Sequence, residues 1–88
     1  MSELTNEEKI KILSDIVAIK TVNDNEIEVA KYLKKLFDKY GIDSHIDKLS
    51  KTRANLIASI GFGKPVIGVS GHMDVVDEGN HDEWTYDP

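Results

Sequence analysis

The segment Pro65–Val76, P-V-I-G-V-S-G-H-M-D-V-V, constrains this chain more than any other. Val66, Ile67 and Val69 are β-branched, Gly68, Ser70 and Gly71 interrupt them, and His72 and Asp74 follow at the end. A short apolar run bounded by turn residues predicts a buried strand rather than an amphipathic helix. Open α/β sheets bind ligands outside the carboxyl ends of their strands, so a polar pair at such an exit faces a crevice from a rigid support. Neutral imidazole is a good zinc ligand, and a carboxylate two residues on can orient the ring or offset the charge of a dication. The residues alone leave two readings open. His72 and Asp74 are either part of a metal site or a polar pair serving only its loop.

The chain before this segment supplies the other elements of an α/β fold. Thr5-Asn-Glu-Glu8 has the form of a capping box. Ile12, Leu13, Ile16, Val17 and Ile19 then recur at helical spacing, which predicts a helix over 6–20. Thr21–Asn25 is turn and cap chemistry. A second helix is expected over 25–40, with Val29, Leu33, Leu36, Phe37 and Tyr40 on one face and Gly41 as its C-terminal cap. Ile42–Leu49 predicts a half-exposed strand near an edge, Lys51–Ala54 a polar connection, and Asn55–Ile60 a second strand. Gly61–Pro65 reads as a hairpin turn that sets the second strand antiparallel to a third over Pro65–Ser70. The expected architecture is two helices packed on a sheet of at least three strands.

The second and third strands carry apolar side chains on both faces, as strands inside a doubly covered sheet do. Two helices cover one face, and the polar Asp77–Pro88 supplies nothing for the other. The chain therefore reads as the front of a longer protein, cut inside a loop. At 88 residues it is one domain at most, burying roughly 60–65% of its unfolded surface if it folds alone. A formal charge of −5 argues against a nucleic-acid partner. Lys31, Lys34, Lys35 and Lys39 are diluted by Glu26, Glu28 and Asp38 and read as a solvated helix face. With no cysteine, any metal is held by histidine and carboxylates. The sequence has neither a long apolar span nor a signal-peptide pattern, so the expectation is a cytoplasmic protein without a membrane partner.

Other chemistry-bearing residues receive plainer readings. His45 lies among Asp43 and Ser44 and is expected to face solvent. His81, with Asp77, Glu78, Asp82 and Glu83, reads as part of a solvated acidic loop. Trp84 and Tyr86 are expected to pack on the body of the domain. Gly61-x-Gly63 lacks the third glycine and the following helix of a phosphate loop. Arg53 has the fork to recognise a carboxylate, of a substrate or, more simply, of a loop that it holds.

Several segments together resemble one family: Ile19-Lys-Thr21, Asn25-Glu26, Arg53-Ala-Asn55-Leu56, Ser70-Gly-His-Met-Asp-Val-Val76 and Trp84-Thr-Tyr-Asp-Pro88. They resemble the N-terminal part of the co-catalytic zinc aminoacylases and carboxypeptidases, and within these the succinyl-diaminopimelate desuccinylase and acetylornithine deacetylase branch. The resemblance implies that His72 is a zinc ligand and that Asp74 is the catalytic-site carboxylate orienting it. It further implies two zinc ions per site, with cobalt or manganese as alternatives, and hydrolysis of an N-acyl amino acid or small peptide. An aspartate bridging the metals, a Glu-Glu pair and a late histidine would lie beyond Pro88, with a lid domain through which the intact protein forms a homodimer. On this reading residues 1–88 are the incomplete start of a metallohydrolase catalytic domain and are inactive alone.

Three rivals remain. One is a dipeptidase or carboxypeptidase of the same family. The second is a small α/β binding module whose His-x-Asp is incidental, against which the two-sided apolar strands speak. The third concerns the piece itself, which would self-associate through its bare face and unpaired edge.

Overall fold

A computed structural model describes residues 3–88. It has two helices followed by two strands, α1 (Asn6–Ala18), α2 (Ile27–Lys39), β1 (Asp43–Lys48) and β2 (Ala54–Ser59), and a 3-10 turn at His81–Glu83. The fold class is α/β, and the sheet is a single antiparallel pair.

Both helices start or stop where local chemistry directs. The capping box is complete: Glu8 N donates to Thr5 Oγ1 and Thr5 N donates to Glu8 Oε1, each at 3.1 Å. α2 ends in a Schellman motif. Gly41, at φ 69°, donates to the Asp38 carbonyl, and Ile42 N reaches the Phe37 carbonyl at 2.9 Å. The positive φ is why glycine stands there.

The core sits between α2 and the sheet. Val29 and Ala30 are 1% and 0% exposed, and Ile27 and Ala54 are also buried. Along β1, Ser44 and Ile46 turn inward while Asp43, His45 and Asp47 face out, the alternation expected of a half-covered strand. His45 faces solvent opposite Ile57, itself exposed on the bare side of the sheet.

α1 does not share this core. Its apolar residues form two stripes at helical spacing, Ile12, Ile16 and Ile19 against Ile10, Leu13 and Val17. The first is half-buried near α2, where Tyr32 Oη donates to Asp15 Oδ2 at 2.8 Å. The second is exposed, because a helix apolar on two sides needs neighbours on both. Only α2 packs broadly on the sheet, a correction to the expected pair of covering helices.

The strand pairing also differs from expectation. The hairpin joins β1 to β2, in the register Asp43↔Ser59 to Lys48↔Ala54, rather than β2 to a third strand. Its turn is closed by Leu49 N to the Arg53 carbonyl at 2.9 Å and by Ser50 Oγ, which accepts from Thr52 N and Arg53 N. Residues 65–70 form no ladder among the described residues, and Val69 is 94% exposed. Gly61 and Gly63 take positive φ, as tight turns allow, yet the connection closes no hairpin, because no element covers or pairs with the segment it leads into among the described residues. A strand needs a partner for its backbone groups, and this one has none among the described residues.

Candidate metal-ligand site

The segment 72–76 returns to the body of the molecule beside the α1–α2 turn. Val22 and Val75 form an isolated parallel bridge, with Asn23 N to the Val75 carbonyl at 2.8 Å and Val75 N to the Thr21 carbonyl at 3.0 Å. Thr21, buried, adds Oγ1 to the Met73 carbonyl at 3.1 Å. Three main-chain and side-chain bonds thus place His72 and Asp74 next to the start of α2.

His72 is exposed at its outer edge and engaged at its inner one. Nδ1 lies 2.7 Å from the main-chain carbonyl of Asp74 and 3.4 Å from its carboxylate Oδ1. A carbonyl oxygen only accepts, so Nδ1 is the donor. The ring's nearest partner is therefore the backbone of Asp74 rather than the side chain that its spacing suggested. The carboxylate turns its other oxygen, Oδ2, to Arg53 Nη2 at 3.5 Å.

Arg53 gathers three acidic groups from two segments, the head of α2 and residue 74. Its Nε donates to Glu26 Oε1 at 2.9 Å and lies 3.9 Å from Asp24 Oδ1. Glu26's hydrogen bond and charge, with Asp24 and Asp74 behind it, push the guanidinium's pKa up. Asp24 is held below its ordinary range, first by the Asn25 backbone N–H and then by the Thr52 hydroxyl at 2.9 Å. Three carboxylates share one guanidinium.

The donor set fits part of a metal site. A histidine with one ring nitrogen tied to an acceptor presents the other as a directed ligand, and the ring of His72 is 82% exposed on its side chain. Three or four protein ligands make a zinc site. Among the described residues no group of three or more His, Asp or Glu side chains converges in this way. The residues fit one ligand and its support.

The acidic loop is tied to itself. His81 Nε2 lies 2.7 Å from Glu78 Oε1, and Trp84 Nε1 donates to the Glu78 carbonyl at 2.9 Å. The hydrogen bond raises the His81 pKa and lowers that of Glu78. Trp84 is half exposed and Tyr86 largely so, against the expectation that both pack on the domain. With Ile16, Val17, Met73 and Val75, Trp84 and Tyr86 line an open groove that does not include His72 or Asp74.

Glu26 is the residue that sequence reasoning misplaced. It read as a charge on a solvated face and is 8% exposed. The available signal was its position immediately before the buried Ile27, Val29 and Ala30, where the first turn of α2 enters the core.

No protein-family model matches the chain. Over all 88 residues it is 57% identical to a protein of Staphylococcus epidermidis named probable succinyl-diaminopimelate desuccinylase, spanning 22% of that protein. A Staphylococcus aureus protein of the same name is 56% identical over 88 residues, again with 22% of its length spanned. A putative LysW-lysine/LysW-ornithine hydrolase of Pyrococcus abyssi is 35% identical over 74 residues, 84% of this chain and 21% of that protein. The chain thus spans about a fifth of the length of these relatives. The resemblance carried by the motifs extends along the whole chain.

Proposed function

We propose, from the premise that this chain is a relative of the succinyl-diaminopimelate desuccinylases along its entire length, that it supplies the first metal ligand of a metal-dependent amide hydrolase. The substrate class is an N-acyl amino acid of the N-succinyl-diaminopimelate or N-acetylornithine kind. The observation that carries the reading is His72: Nδ1 is tied to Asp74 at 2.7 Å and Nε2 is left outward.

In this assignment His72 holds a metal, zinc in the first instance, and Asp74 braces it. The metal would supply a Lewis acid for the acyl carbonyl and acidify a water. What this chain itself contributes is a fixed imidazole, a carboxylate oriented by Arg53, and a backbone bridge at Val75 that holds both in place. The further ligands, a proton-accepting glutamate and the second zinc would come from the part of the relatives' length that these 88 residues do not span. The same reading places residues 65–70 as a third strand of a larger sheet, covered on both faces. It also makes the intact protein a cytoplasmic homodimer joined through a lid domain. Kinship is the support for these last points.

The test uses a protein of the relatives' full length carrying this segment, assayed on N-succinyl-diaminopimelate, N-acetylornithine and an unmodified dipeptide. Activity should fall on chelation, return with zinc, and drop at least a thousandfold in His72→Ala. Cleavage of the dipeptide in preference to both acylated amino acids would replace the deacylase reading with a peptidase of the same mechanism. Metal-independent cleavage, or full activity in His72→Ala, would overturn the assignment. The 88 residues alone should show no cleavage.

A further inference from the structure

We propose that Thr21 is a positioning residue for His72: its hydroxyl holds the Met73 carbonyl and so fixes the stretch of chain that carries the histidine, while its own carbonyl holds the peptide on which the ring leans. The inference rests on the proposed function only in treating Nε2 of His72 as the ligand atom.

Thr21 is buried in the turn between α1 and α2. That turn is fixed from behind. Asp24 Oδ1 accepts from Asn25 N at 2.8 Å and from the Thr52 hydroxyl at 2.9 Å, and Ile27 N reaches the Thr52 carbonyl at 3.3 Å. A buried hydroxyl calls for a partner. Thr21 Oγ1 finds one 52 residues away, donating to the Met73 carbonyl at 3.1 Å.

Two peptide planes flank Asp74, and Thr21 holds both. The plane before it contains the Met73 carbonyl, bound by Oγ1, and the plane after it contains Val75 N–H, bound by the Thr21 carbonyl at 3.0 Å. A trans peptide is planar, so the anchored Val75 N–H turns the Asp74 carbonyl the opposite way, where it meets His72 Nδ1 at 2.7 Å. The acceptor of the ring contact is thus set by main chain alone.

The donor is not. His72 lies before the Met73 carbonyl, and among the described residues no hydrogen bond ties residues 61–71 to the rest of the molecule. The Thr21 hydroxyl is therefore the first anchor the chain meets on its return, one residue past the histidine. With it, the imidazole approaches a fixed carbonyl from a fixed backbone, keeps its proton on Nδ1 and leaves the lone pair on Nε2. Without it, the exposed ring has to hold its contact unaided, in competition with water. Thr21 acts on the ligand atom through the chain and touches no substrate.

The experiment separates the hydroxyl from the bridge. Nitrogen chemical shifts of the neutral His72 ring are recorded on the uniformly labelled chain, and hydrogen exchange of the Asn23 and Val75 amides reports the bridge. The native chain should show His72 protonated at Nδ1 and both amides protected. Thr21→Val, which keeps the branched shape and removes the hydroxyl, should lower the ratio of Nδ1 to Nε2 protonation several-fold with both amides still protected. Thr21→Ser, which keeps the hydroxyl and loses a methyl group, should keep the native ratio. A role in packing alone would give the reverse order, with Ser disturbing the ring and Val sparing it, and would overturn the proposal. So would an unchanged ratio in Thr21→Val, or loss of amide protection there, which would assign the hydroxyl to the bridge itself. If Thr21→Val does not fold, the native hydroxyl proton decides: slow exchange with solvent supports the anchor, and fast exchange overturns it. The measurement needs neither metal nor substrate. An inactive full-length protein whose His72 follows the expected pattern would sink the amide-hydrolase reading alone, and an active one whose ring ignores Thr21→Val would sink the positioning role alone.

Discussion

Arg53 Nε and Glu26 Oε1 are 2.9 Å apart, joining a half-exposed guanidinium to a carboxylate that the head of α2 buries. The pair spans the turn before α2 and the end of the β1–β2 connection. The two residues are 27 apart in sequence. Removing one partner of a largely buried ion pair leaves the other without its contact, so the pair ties the site's support to the stability of the unit.

Glu26→Ala should therefore destabilise the chain more than Glu28→Ala. Glu28 is exposed and meets only Lys31, at 3.4 Å, a kind of surface pair that contributes little. In urea unfolding the Glu26 variant should lower the midpoint several-fold more than the Glu28 variant. Equal midpoints would mean that burial at Glu26 carries no energetic consequence.

Val29 is the largest fully buried side chain among the described residues. Val29→Ala removes two methyl groups from the α2–sheet contact and should cost about 2 kcal/mol, combining lost transfer energy with a small cavity. The fall should appear as a lower urea midpoint at unchanged slope. Ile10→Ala, on the exposed stripe of α1, serves as the control and should stay within about 0.5 kcal/mol.

The Glu78–His81 pair gives a pH signature. His81 is raised above its ordinary 6.5 by the Glu78 hydrogen bond, so its contribution is full below that value and is lost as pH rises through the higher folded value. Glu78 is lowered from 4.5, so its part is present above that value and is lost as pH falls through the lower folded one. The loop should be best held between these limits, in mildly acidic solution. Proton NMR of His81 should show a downward shift of its midpoint in Glu78→Gln, and an unmoved midpoint would show that the contact is not made in solution.

How much of this was legible in the sequence depended on distance along the chain. The capping box at Thr5 and Glu8 and the glycine turn at Gly41 were readable because each is satisfied within a few residues. The alternation along β1 was readable because one face is covered. The apolar run at Val66–Val69 carried a true strand-like pattern, yet the structure leaves it exposed and unpaired. Pattern records what a segment would bury, whereas pairing requires a neighbour. The β1–β2 hairpin was not foreseen at the polar connection 51–54, because Ser50 closes that turn through its side chain, and the expected pairing of β2 with a third strand has no ladder among the described residues.

The sequence by itself determined the local structure, the type of residue offered to a metal, and the family resemblance, since helix caps, strand periods and the His72–Asp74 spacing are all properties of short stretches. Only the tertiary structure decided that Glu26 and Asp74 meet at Arg53, that Thr21 bonds to Met73 and Val75, and that His72 leans on the backbone of Asp74 rather than on its carboxylate. The reason is physical. Contacts separated by tens of residues form only when packing of α2 on β1 and β2 brings their carriers together, and no local pattern encodes the direction in which a guanidinium then points.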